Sequence, residues 1–182
     1  RLGIVYIQTK FKLLTILSKE KAAQKAFEVF GTPFLKSKSK AALKNAENIE
    51  LLLNGKKVKG YRWNHPRPGK ILILHGFGSA AHKFESYAVL LAMHGFKVLA
   101  FDAPAHGGSE GVYTNAIEYS AMIEKVIAGY GPIQGFIAHS FGGISLSLAL
   151  EKIQHTINTK VVFIAPATET TSAVDGAFNM LK

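Results

Sequence analysis

The sequence predicts an α/β domain: a mostly parallel sheet with helices on both faces, opened by an antiparallel hairpin. Three observations carry that expectation. From Ile71 onward, short apolar runs rich in Val, Ile and Phe alternate with longer segments of helical spacing, as strands buried on both faces and the helices that cover them require. Two earlier runs, Ile49–Leu53 and Lys56–Trp63, flank Asn54-Gly55, a pair that accepts the positive φ of a tight hairpin turn. Finally, the run Ile133–Ala138 passes through His139-Ser140-Phe141-Gly142-Gly143 straight into the helical pattern Ile144–Leu150. That is a strand, a sharp turn and a helix.

The 182 residues, 48% of them hydrophobic, suffice for one domain with a sizeable core. With no cysteine the chain has neither a disulfide framework nor a thiolate metal site, and a reducing, cytoplasmic location is expected. No apolar run reaches the length of a membrane span, and the first residues lack the order of a secretion signal. The formal charge of +10 is unevenly placed. Residues 1–70 hold 16 Lys or Arg against 4 acids, and residues 71–182 hold 6 against 8. The basic third could attract an anionic membrane surface or a phosphate-rich partner, or its lysines could simply solvate an exposed helix.

In chain order, apolar positions recur at helical spacing from Ile4 to Phe30 with lysines among them, which predicts a basic amphipathic segment stopped by Gly31-Thr32-Pro33. Ser18 followed by Lys19-Glu20-Lys21 has the form of an N-cap that would divide it into two helices. Lys36–Glu47 is polar and lysine-rich and reads as a linker. The hairpin follows and ends at His65-Pro66-Arg67-Pro68-Gly69, where prolines lack the donor a ladder needs. Then come a strand at Ile71–Leu74, a helix at Ala80–His94, a strand at Phe96–Phe101, a helix at Asn115–Tyr130, the strand Ile133–Ala138, a helix at Phe141–Ile153 and a strand at Val161–Ile164. The expected division is 1–47 for the helical segment and linker, 48–167 for the core and 168–182 for the start of a lid.

Three loops after these strands carry chemistry. Ala138-His139-Ser140-Phe141-Gly142 matches the G-x-S-x-G nucleophile elbow with alanine at the first glycine. A serine at such a turn is held out of the sheet, where it is either a nucleophile or the first residue of a buried helix. His75-Gly76-Phe77-Gly78-Ser79 can turn tightly and direct amides at a negative oxygen. In the elbow geometry the two donors are the N–H of Phe141 and, from this loop, that of Phe77. In Phe101-Asp102-Ala103-Pro104-Ala105-His106-Gly107-Gly108-Ser109, Asp102 and His106 could be read as an acid and a base. The favoured reading is structural, with Asp102 bonding amides of its own loop and His106-Gly107 shaping the turn.

The order HGFGS, FDAPAHGGS, AHSFGG, at the spacing of successive strands, resembles the α/β-hydrolase superfamily over about Ile49 to Thr168. The middle motif is similar to its D-x-x-G-H-G-x-S loop, with Ala105 for the first glycine. The resemblance implies a serine hydrolase, an esterase, lipase or thioesterase acting on a small-molecule acyl substrate, with Ser140 as nucleophile and an oxyanion hole of Phe77 and Phe141. It implies no cofactor, no metal and no nucleic acid. Haloalkane dehalogenases and epoxide hydrolases of the superfamily carry aspartate at the elbow, where this chain has Ser140. In the superfamily the triad acid and histidine follow two later strands, whereas Glu169 and Asp175 are the last carboxylates here and no histidine follows His155. The expectation is therefore an incomplete domain lacking the C-terminal strands, in which the strand Val161–Ile164 is covered by other polypeptide or by a second copy in a homo-oligomer. The rival expectations are a non-catalytic binding module on the same scaffold and a membrane-peripheral protein anchored by its basic N-terminal helix.

Overall fold

The computed structural model describes residues 2–34, 37, 42–167, 171, 175 and 176, with side chains from Thr9 onward. Glu169 and most of the predicted lid segment lie outside the described residues. Pro33–Thr168 forms one compact unit, and the two N-terminal helices belong to another.

Helix α1 (Leu2–Leu17) and helix α2 (Lys19–Phe30) meet at Ser18. Ser18 is extended, and its hydroxyl accepts the Lys21 N–H at 3.2 Å, the expected N-cap. The Gly31 N–H then closes α2 on the Phe27 carbonyl. The predicted amphipathic stripe is kept in α2, whereas α1 has too many apolar residues to gather them on one face and leaves Leu13, Ile16 and Leu17 exposed. Among the described residues no helix is long and apolar enough to cross a membrane.

Among the described residues six strands form one sheet in the order β1-β2-β4-β3-β5-β6. The hairpin β1 (Ala46–Leu53) and β2 (Lys56–Trp63) turns at Asn54 and Gly55, whose φ of 51° and 77° match the expected turn. β1 starts at Ala46, earlier than Ile49 where the apolar run begins. Cross-strand pairing extends it, with the Glu47 carboxylate on Arg62 and the Trp63 indole N–H on the Lys44 carbonyl. β2 runs antiparallel to β4 (Lys97–Phe101), which lies parallel to β3 (Lys70–Leu74). On its other side β3 pairs in parallel with β5 (Gly135–His139), and β5 with β6 (Lys160–Ile164). The chain thus starts in the middle of the parallel set and builds outward in both directions, so the loops leaving β3, β4, β5 and β6 gather at one end of the sheet.

Alternation along each strand feeds two cores. Leu72 and Leu74, Leu99 and Phe101, and Phe136 and Ala138 face Tyr119, Met122, Ile123 and Val126 of α4 (Ala116–Tyr130) and Leu146 and Ala149 of α5 (Phe141–Leu150). Ile73, Val98 and Ala100, with Tyr61 and Trp63, face Ala81 and Phe84 of a short 3-10 turn (Ala81–Phe84) and Ala88 of α3 (Glu85–Met93). The helix predicted at Ala80–His94 thus opens as a tighter turn, whose first N–H, that of Ala81, donates to the Asp102 carboxylate at 2.8 Å. Asn115 caps α4 by accepting the Glu118 N–H at 2.8 Å.

Candidate active site

Ser140 stands between the last residue of β5 and the first of α5. Its φ of 49° and ψ of −117° lie in a region that side chains rarely adopt. Three backbone bonds hold it there. Its N–H donates to the Ile164 carbonyl at 3.0 Å, and its carbonyl accepts from Gly143 at 2.8 Å and Ala167 at 3.1 Å. Ala138 is fully buried in β5 opposite Leu74 and Phe163, which explains a small residue at that place. Gly142 is required by close approach: a Cβ there would sit 2.8 Å from the His75 carbonyl oxygen and 2.9 Å from that of Leu74. Helix α5 therefore leaves the elbow pressed against the end of β3.

Phe77 and Phe141, named from the sequence as oxyanion donors, are brought together. Their rings meet edge to face with centroids 5.6 Å apart. In the HGFGS loop the Gly78 N–H is taken by His106 Nε2 at 3.0 Å and the Ser79 N–H by the Gly76 carbonyl at 3.2 Å. The Phe77 N–H makes no hydrogen bond among the described residues, nor does that of Phe141. The Ser140 hydroxyl likewise has no partner among the described residues.

The nearby imidazoles are committed elsewhere. His75 is buried; its Nε2 accepts the Ala103 N–H at 2.9 Å, so its proton resides on Nδ1 and is donated to the Gly76 carbonyl at 2.8 Å. Burial, reinforced by the neighbouring His106, His82 and His139, pushes its pKa down to about 3. By the same logic His106 carries its proton on Nδ1, bonded to the Pro104 carbonyl at 2.9 Å. His139 points to the α3 side of the sheet, with its ring 6.0 Å from that of Phe84 and its Nδ1 buried without a partner.

Asp102 has the structural arrangement favoured from the sequence. Oδ1 accepts the Ala81 N–H and Oδ2 the Gly108 N–H, each at 2.8 Å, and its backbone carbonyl accepts the Ser109 hydroxyl at 2.7 Å. Burial raises its pKa, against the lowering effect of those two amides. Ala105, which stands where the resembled D-x-x-G-H-G-x-S loop has its first glycine, has a φ of 65°. Nothing in the sequence pattern singles out Tyr119, whose hydroxyl donates from α4 to the His75 carbonyl at 3.3 Å. Among the described residues no group of three His, Asp or Glu side chains could hold a metal ion. A cavity of about 220 Å³ lined by Asn45, Trp63, Asn64, Val89, Ala92 and Met93 lies at the opposite ends of the strands and contains none of these residues.

A search of curated proteins returns no match to the chain. Solved structures share its fold. A thioesterase domain from the curacin biosynthetic pathway is 23% identical, with a TM-score of 0.59 over 76% of this chain and 53% of its own. An esterase of Pyrococcus furiosus is 20% identical, with a TM-score of 0.58 over 75% of this chain and 60% of its own. An epoxide hydrolase of Vigna radiata is 19% identical, with a TM-score of 0.54 over 62% and 36%. At these identities the likeness is one of fold, and the chain spans little more than half the length of the first two. The profile of the alpha/beta hydrolase family matches residues 71–181, from the first parallel strand through the elbow and beyond β6, and the chain therefore belongs to that family.

Proposed function

We propose that the protein is a serine hydrolase that cleaves a carboxylic ester, thioester or similar acyl bond through a covalent acyl-enzyme, with Ser140 as its nucleophile. One observation carries this reading: Ser140 keeps a side chain at φ 49° and ψ −117°, a conformation glycine would adopt more readily. Such strain persists where the side chain it holds is used. The Ser140 oxygen would attack the acyl carbon while its proton passes to a base. The carbonyl oxygen would then become anionic, facing the N–H groups of Phe77 and Phe141. Collapse breaks the bond to the alcohol or thiol, which leaves with that proton, and water releases the acid by the same two steps. The fold neighbours described as a thioesterase domain and an esterase support an acyl substrate.

The base is neither His75 nor His106, since both ring nitrogens of each are bound to backbone. A second reading, a binding module on the same scaffold, is favoured by one fact: among the described residues no imidazole bonds the Ser140 hydroxyl. A fluorophosphonate probe separates the two. Labelling of the native protein that is lost in Ser140→Ala is expected. Folded protein that takes no label is a binding module, and label that survives Ser140→Ala assigns the nucleophile elsewhere.

A further inference from the structure

Helix α1 carries chemistry that the hydrolase reading does not use. At 3.6 residues per turn, Leu13, Ile16 and Leu17 fall within about 100° of one another. All three point outward, exposed by 58%, 81% and 82%. Exposed Thr9 shares their sector. Lys12 borders it beyond Ile16, and Lys10 beyond Leu17, each within about 40° of its apolar neighbour. Single apolar residues on a surface need no explanation, but three large aliphatic ones side by side do. Lysines on both borders supply one: their stems can lie along an apolar layer while their ammonium groups reach the charged surface above it.

We propose that this face of α1, Leu13, Ile16 and Leu17 between Lys10 and Lys12, binds the surface of an anionic lipid bilayer, with the helix lying in the interface. The charge distribution selects that occupant. Helix α1 holds Lys10 and Lys12 and no acidic residue, and residues 1–32 hold 6 basic residues against 2 acidic ones, so the helix that bears the aliphatic face is itself drawn to negative headgroups. A nucleic acid would satisfy the lysines and leave three aliphatic side chains in water. A second copy would cover the aliphatic face but bring two basic segments together. This surface is independent of the chemistry at Ser140.

The test is co-sedimentation of the full chain with phosphatidylcholine vesicles, alone or with about a third phosphatidylserine. Binding to the anionic vesicles is expected at about 0.1 M salt, weaker by at least about tenfold on neutral vesicles and at about 0.5 M salt. The double variant Ile16→Gln, Leu17→Gln should lose at least about tenfold in partitioning. Ile157→Gln, which removes an apolar residue 94% exposed in the other unit, should change nothing. Lys10→Glu with Lys12→Glu gives the same reading without touching apolar residues and should also weaken binding to anionic vesicles. Absence of binding to anionic vesicles, equal binding to neutral ones, or full binding by both double variants overturns the proposal. So does a lipid-free dimer that Ile16→Gln, Leu17→Gln converts to monomer, which assigns the face to a second copy.

Discussion

The imidazole of His106 bridges two loops 28 residues apart, accepting the Gly78 N–H on Nε2 at 3.0 Å while donating from Nδ1 to the Pro104 carbonyl. With Gly78 so occupied, Phe77 is left with an unbonded N–H in the loop facing the elbow. Replacing His106 with leucine keeps a buried apolar volume but strands the Gly78 donor. The expected loss is about 1–3 kcal/mol. His106→Gln, whose amide oxygen can accept in the place of Nε2, should recover part of it. Urea unfolding checks both, and equal stability of the Leu and Gln variants would show that the bond carries no weight.

Gly142→Ala should be among the costliest single-methyl additions in the chain. The new Cβ meets two backbone carbonyl oxygens within 3 Å, and neither can rotate away. Overpacking of about 1–3 kcal/mol is expected. Gly129→Ala is the control, since nothing lies within 4 Å of its Cβ. In the last turn of α4 alanine should be neutral or stabilise by up to about 0.5–1 kcal/mol. Thermal melting of the pair measures the contrast, and similar shifts would contradict the close approach of α5 to β3.

Ser140→Gly and Ser140→Ala both remove the hydroxyl, so the difference between them reports the backbone alone. Glycine accepts φ 49°, ψ −117° and alanine does not. Relief of about 1–3 kcal/mol exceeds the roughly 0.4–1 kcal/mol that glycine's freer unfolded chain costs. The glycine variant should therefore melt above the alanine one. The reverse order would mean that the turn is not strained.

His75 makes stability depend on acid. Its pKa is about 3 in the folded chain against an ordinary 6.5, so between those values the unfolded state binds a proton that the folded state refuses. The stability tied to His75 is complete above about pH 6.5 and falls by roughly 1.4 kcal/mol for each pH unit below it. Asp102 has a raised pKa and acts with the opposite sign above its ordinary value of 3.8. Comparing the parent with His75→Gln cancels that contribution. The variant should be the less stable at pH 7 yet lose about 2 kcal/mol less than the parent between pH 7 and pH 5. Parallel pH profiles from urea unfolding would rule out a buried neutral imidazole.

The strands were legible because burial on both faces leaves continuous apolar runs, and the hairpin because Asn54-Gly55 tolerates positive φ. The turn at Ser140 was legible because a polar residue followed by two glycines interrupts an apolar stretch. What stayed hidden depends on loops that meet only in the fold. The bond from Ala103 to His75 joins residues 28 apart, and that from Tyr119 to the His75 carbonyl joins residues 44 apart. Neither residue type nor spacing announces such a partner. The start of β1 at Ala46 was hidden for the same reason, since Glu47 becomes a strand residue only when Arg62 lies opposite it.

The two margins of the sheet differ in kind. β1 presents Glu47 and Glu50 along its length, while β6 carries Val162 and Phe163, 52% and 42% exposed, and has no strand beyond it among the described residues. A further strand arriving at β1 would meet carboxylates, and one arriving at β6 would meet none. Of the two margins β1 is therefore guarded by its own carboxylates, and β6 is the one chemically receptive to a further strand, whichever polypeptide supplies it.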